Sequence, residues 1–384
     1  MQIIDNLAAI QPWAALCPQS RQPLALLIAW HRRGGWLRRQ SIGRGGHRTR
    51  HAQHCRHCLH RFAKRIAPNT SMAKSKPLPP SGVQWLQIKP PLPLWFVQRK
   101  RFGAGVDNQD ALKIKVVELV EKRVELLGAF PELPFPAFAP PANLPEHITS
   151  LDEIDAFSDS VRNAWQLGLN PIADLIDTLE GLGLLVIVVD EENPGFSGLT
   201  AKAQTEDGRE YPVVAVSKRW PGDRQRFTLA HELGHLLLEG RLADGINEEK
   251  ACDRFAGAFL APRVAVLQLL GAQRHALEWQ ELYVLKHEFG LSMTGWLQRA
   301  KQCGVITEAA HLSMFKRFSA KGWRKTEPGQ PLPQEHPRLF DQLVYRALAE
   351  QYISEGKAAE LLGIPMMRFH KERQLESSDA VAHQ

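Results

Sequence analysis

The chain has 384 residues and is 44% hydrophobic, enough for two or three domains with buried cores. Its formal charge of +7 is unevenly spread: residues 1–71 hold twelve Lys+Arg against one acidic residue, Asp5, so that segment is +11 and the remainder −4. The body of the chain therefore gives no electrostatic reason to expect a phosphate-binding surface.

Five scattered cysteines exclude a disulfide scaffold and favour a reducing compartment. The apolar run Pro23–Trp30 is far shorter than the roughly 20 residues that span a bilayer, and no small-residue cleavage site follows it. The expected location is the cytoplasm, with no membrane partner.

Residues 1–71 carry eleven Arg, one Lys and six His without a sustained helical or strand period. Three readings compete: a basic arm that touches nucleic acid, a zinc knuckle on Cys55, Cys58 and neighbouring His, and a disordered or over-extended start, with Met72 as the natural beginning. Residues 72–146 read as a Pro-rich linker with one helix, Ala111–Gly128, whose apolar residues recur at helical spacing.

From His147 the pattern tightens. Ser150 and Glu153 suit a capping box opening a helix over Asp152–Gly168, and PIADLIDTLEGLG predicts a second helix with Pro171 in its first turn. LLVIVVD (184–190) reads as a strand buried on both faces, and FSGLTAKAQ and YPVVAVSK as two more around the turn EDGRE. Helices, then strands, then further helices predict an α+β domain over 147–270. Residues 271–384 read as a helical C-terminal domain, with Ser292 as an N-cap, Gly304 as a stop, and a helix-turn-helix-like end in ISEGKAAELLGIPMMRFHKE (353–372).

The chemistry concentrates in RFTLAHELGHLLLEG (226–240), apolar nearly all round and closed by Gly240. His231 and His235 lie one turn apart on one face, where two imidazoles reach one tetrahedral ion. Glu232 is displaced around the helix, where it can polarise a water without ligating the metal. A catalytic zinc (Zn2+) takes three protein ligands and keeps one open position. The third is expected from the next helix, EEKACDRFAGAFLAP (248–262). There Glu249 can ligate, while Asp253, one turn on, accepts a hydrogen bond from a ligand histidine and fixes its tautomer.

HELGH followed by ExxCDRFAGAFLAP resembles the ImmA/IrrE family of cytoplasmic metallo-endopeptidases, and RNAWQLGLNPIADLIDTLEGLGLLVIVVD and the C-terminal segments resemble that family's flanks. The resemblance implies a zincin-like fold, a small mixed sheet packed on the HExxH helix and a second ligand-bearing helix, with helical flanks at both ends. It implies His231, His235 and Glu249 as zinc ligands, Glu232 as the general base, and a regulatory protein, a repressor or antitoxin, as the substrate. Cys252 stands where the family usually has alanine. Long members commonly begin with an XRE-type helix-turn-helix DNA-binding domain, which residues 1–71 do not show.

In zincins an edge strand before the metal helix pairs with the substrate backbone, which makes YPVVAVS, with Tyr211 and the Ser197–Thr200 region, a candidate docking edge. The competing class is a transcriptional regulator or metal sensor that keeps the fold and binds DNA without proteolysis. A weaker third is an interaction module with an empty site. On 353–376 acidic residues offset the basic ones, so DNA is weakly supported as a partner.

Overall fold

The computed structural model describes residues 111–190, 195–205 and 208–375 in full, and the backbone alone of 83–87, 95–99 and 106–110. The basic arm and the Cys55–Cys58 knuckle read from the sequence lie outside these residues. So does the tail after residue 375.

Five strands form one mixed sheet: β1 (Val83–Gln87), β2 (Trp95–Arg99), β3 (Leu185–Val189), β4 (Gly198–Gln204) and β5 (Glu210–Ser217), in the order β1-β2-β4-β5-β3. Only β3 and β5 run parallel. The first two strands come from the proline-punctuated stretch in which the sequence pattern shows only a helix. That helix, α1 (Val106–Gly128), begins five residues before the expected Ala111.

The continuous apolar run of β3 is explained by burial on both faces. Leu185, Ile187 and Val189 point into one core with Val213 and Ala215 of β5, while Val186 joins Val214 and Val216 in the other. The first core is closed by α1, through Leu112, Val116 and Val120, and by C-terminal residues including Leu343, Val344 and Phe369. The second holds α2 (Glu153–Ala164), α3 (Leu175–Gly181), α4 (Gly222–Leu238) and α5 (Glu248–Leu260). It continues without a break through α6 (Arg263–Leu270), α7 (Trp279–Phe289), α8 (Met293–Gln302) and α9 (Glu308–Ala320). The α+β class read from the sequence is what the chain adopts.

Two further helix boundaries differ from expectation. The first helix stops at Ala164 rather than Gly168, because the Arg162 guanidinium turns back to the carbonyls of Gly168, Asn170 and Phe259 and satisfies them off the helix axis. The next starts at Leu175, not near Pro171, because Asp174 is its N-cap and accepts from the Asp177 N–H at 2.9 Å.

The C-terminal chain returns across the fold as an extended strap before α10 (Leu339–Ala349). Glu335 on the strap accepts from the N–H groups of Leu175 and Ile176 at the start of α3 and pairs with Arg226 of α4. Glu327 bonds Lys286, which also meets Asp223 at 3.2 Å. Both carboxylates thereby tie the strap to the N-terminal part of α4. Behind α10, Glu180 is buried against Leu339 N–H at 3.4 Å. Burial pushes its carboxyl up to about 7, against the opposing pull of Arg123. The last helices, α11 (Glu355–Leu362) and α12 (Met366–Arg373), are joined by a turn in which Gly363 adopts a left-handed conformation.

Candidate metal centre

Helix α4 is held by Leu229, Leu233 and Leu237, each at most 1% exposed, and burying each such side chain contributes about 1.5–3 kcal/mol. That face sets the others. His231, Glu232 and His235 are themselves only 7%, 5% and 7% exposed, a burial that costs several kcal/mol unless the groups are satisfied.

Helix α5 packs antiparallel across α4, and Gly234, in the middle of HELGH, makes the approach close. A Cβ there would lie 3.2 Å from Phe255 Cδ1 and 3.3 Å from the Cα of Cys252. Cys252 is fully buried at this crossing, its Sγ 3.4 Å from His235 Nδ1. The alanine-to-cysteine departure noted in the sequence thus fits within the packing.

The close crossing brings His231, His235 and Glu249 together, with one donor atom of each within 4.8 Å of the others. The Nε2 atoms point toward the Glu249 carboxylate, 3.7 Å away for His231 and 4.0 Å for His235. The imidazole planes are 73° apart with centroids at 5.0 Å. The opposite ring nitrogens are engaged: His231 Nδ1 lies 2.8 Å from Asp253 Oδ1 and His235 Nδ1 2.9 Å from Glu248 Oε1. These contacts favour Nδ1–H tautomers, which leave each Nε2 as a lone-pair donor.

The His235 Nε2 is buried and has no hydrogen-bond partner among the described residues. A buried imidazole nitrogen beside a second imidazole and a carboxylate suits a borderline-soft cation that prefers N and O donors. The donor set therefore fits zinc.

Glu232 sits on the neighbouring face of α4, toward the sheet. Thr200 of β4 places its hydroxyl 2.7 Å from Glu232 Oε2 and 3.0 Å from the Glu232 carbonyl oxygen. Gly198, also on β4, borders the other carboxylate oxygen: a Cβ there would come within 3.1 Å of Oε1.

Residues 182–301 match the peptidase M78 family model, the IrrE N-terminal-like domain. The ImmA/IrrE resemblance is thus borne out over 120 of the 384 residues, a stretch that contains every residue of the centre. That stretch is similar to a peptidase domain of the ImmA/IrrE type. No curated protein matches the chain.

The sheet order corrects one expectation. YPVVAVS was read as a candidate edge for docking a peptide, but β5 lies inside the sheet, with β4 on one side over Gly198–Gln204 and β3 on the other over Leu185–Val189. Tyr211 is 5% exposed. An all-apolar strand looks the same at an edge or in the middle, because its two covered faces dominate the pattern.

Two residues of the centre escaped the sequence reading. Glu248 resembled a solvated first-turn carboxylate, yet it shares the i,i+4 row with Cys252, as Glu249 does with Asp253. Two antiparallel helices place that pair of rows over His235 and His231. Thr200 left no such signal, since the contact joins positions 32 apart on a strand and a helix.

Proposed function

We propose that the chain is a zinc-dependent endopeptidase of zincin-like fold that cleaves a cytoplasmic regulatory protein, such as a repressor or antitoxin. The observation that carries this reading is the convergence of His231, His235 and Glu249 within 4.8 Å. When bound, zinc supplies Lewis-acid polarisation of a carbonyl and lowers the pKa of water.

The chain's own groups do the rest. Both Nε2 atoms and the Glu249 carboxylate hold the ion, while Asp253 and Glu248 accept from the Nδ1–H groups and keep the rings turned inward. Glu232, adjacent to this set but directed to the sheet side, takes a proton from the attacking water and returns it to the leaving amine. Burial of the three α4 groups excludes bulk water and strengthens each interaction.

The partner read as a protein rather than DNA is supported by the pairing of C-terminal cations. Lys357 meets Glu125 and Glu360, Arg368 meets Glu372, and Arg373 meets Glu355. Phosphate contacts would have to displace these carboxylates. Among the described residues no helix is long and apolar enough to cross a membrane, which accords with the cytoplasmic assignment without deciding it.

The test is Glu232→Gln. Zinc content is expected to remain, while hydrolysis of a labelled unstructured protein such as casein falls by about 10²–10⁴-fold. Cleavage at the unaltered rate would remove Glu232 from the proton-transfer role.

A further inference from the structure

Glu232 is held from β4, and that contact assigns a function to a residue outside both zinc-binding helices. The Thr200 hydroxyl carries a single proton and has two acceptors within reach, Glu232 Oε2 at 2.7 Å and the Glu232 carbonyl at 3.0 Å. The carbonyl lies within α4, which runs on to Leu238 and so supplies it with a partner four residues later. The carboxylate is the stronger acceptor and the nearer one.

The Thr200 proton therefore goes mainly to Oε2, and the carbonyl contact keeps the hydroxyl aimed along the helix. Both residues are buried, at 5% exposure each, so water does not compete for this bond. Gly198, two residues earlier and on the same face of β4, lies where a Cβ would meet Thr228 Cγ2 at 2.5 Å and Oε1 at 3.1 Å, so a side chain there would crowd that oxygen. One carboxylate oxygen is fastened by the hydroxyl, and the other is bordered by a residue without a side chain.

We propose that Thr200 is a positioning residue: by fastening Oε2 of Glu232 it leaves Oε1 as the oxygen that exchanges protons, with Gly198 sparing that oxygen a crowding side chain. This rests on the reading of Glu232 as the proton-transfer group. It predicts an effect on turnover rather than on metal binding, because the Thr200 hydroxyl bonds Glu232 and not His231, His235 or Glu249. A carboxylate that can rotate spends less time in the productive geometry, and a misplacement of about 1 Å can cost as much as a hundredfold.

The experiment compares the full-length zinc-loaded chain with Thr200→Val, Thr200→Ser and Glu232→Gln, using labelled casein as the probe, with zinc content measured in each and crystal structures of the first two variants. Thr200→Val keeps the side-chain shape and removes the hydroxyl. Its kcat is expected to fall about ten- to a hundredfold, with KM and zinc content unchanged and the Glu232 carboxylate displaced in the crystal. Thr200→Ser is expected to recover most of the loss and to restore the carboxylate position.

A Thr200→Val enzyme at full kcat beside an inactive Glu232→Gln would overturn the positioning role and leave the proposed function intact. Equal activity in Glu232→Gln and the unaltered chain would overturn both. A serine variant as impaired as the valine one would show that the hydroxyl is not the agent. Should the valine variant fail to fold, Thr200→Ala takes its place. Should casein not be cleaved, the crystal readout decides, and an undisplaced Glu232 carboxylate overturns the proposal.

Discussion

The two ends of α4 bury ionisable groups in opposite ways. Toward its N-terminus Arg226 is paired with Glu335, and Asp223 with Lys286, which also meets Glu327. On neighbouring helices Asp155 receives both Arg254 and Arg299. In each of these clusters the carboxylate arrives with a cation from the same chain. Toward the C-terminus of α4 the cluster is built from His231, His235 and Glu249, backed by Asp253 and Glu248. Imidazole lone pairs and carboxylates are what a cation needs around it. A buried cluster that brings its own counterion holds a fold together, whereas one made of donors is a place for an ion.

That contrast can be broken from either side. The largest effect is expected at the self-contained end. Glu335→Ala leaves the Arg226 guanidinium buried beside an empty position, with Arg226 at 5% and Glu335 at 10% side-chain exposure in the unaltered chain. Loss of one partner from a buried pair costs about 3–5 kcal/mol. Denaturant unfolding should show that drop, while zinc per folded chain stays unchanged. A parallel loss of metal from the folded protein would mean that the strap and the donor site are one unit.

A slightly smaller effect is expected at Glu180, where burial raises the folded-state carboxyl from 4.5 to about 7. Below pH 4.5 both states carry the proton and the group is neutral to stability. Between about 4.5 and 7 the unfolded state releases it while the folded state keeps it, so stability falls as pH rises, by up to about 3 kcal/mol. Glu180→Gln should flatten that part of the stability profile. A variant with the same slope as the unaltered chain would place the pH dependence elsewhere.

The smallest effect is expected behind the donor site. Asp253→Asn and Glu248→Gln should each weaken zinc affinity by about 10–100-fold, with little change in the stability of the metal-free protein. A change in metal-free stability comparable to that of Glu335→Ala would erase the distinction between the two ends.

Much of this was legible in the sequence for a physical reason. His231, Glu232, His235, Glu249 and Asp253 all lie on two helices, and a period of 3.6 residues converts spacing directly into faces. The double-sided burial of β3 was legible for the same kind of reason, since a strand covered on both faces has no polar alternation. What stayed hidden depends on contacts between elements. Strand order put β5 inside the sheet, and no feature of YPVVAVS encodes that. The Arg162 turn that ends α2 early requires Phe259, 97 positions away, to present its carbonyl. The strands β1 and β2 sit amid prolines that read as linker. Thr200 becomes meaningful only when β4 is laid against α4.

The central claim is that the α4–α5 crossing holds a zinc ion through three side chains. Elemental analysis of the full-length chain after zinc loading and exhaustive dialysis, beside Glu249→Ala treated the same way, tests it most directly. About one zinc per unaltered chain is predicted, with the ion lost from the variant while its circular dichroism remains that of the folded protein. A zinc-free unaltered chain, or a Glu249→Ala variant that keeps its zinc, would contradict the account.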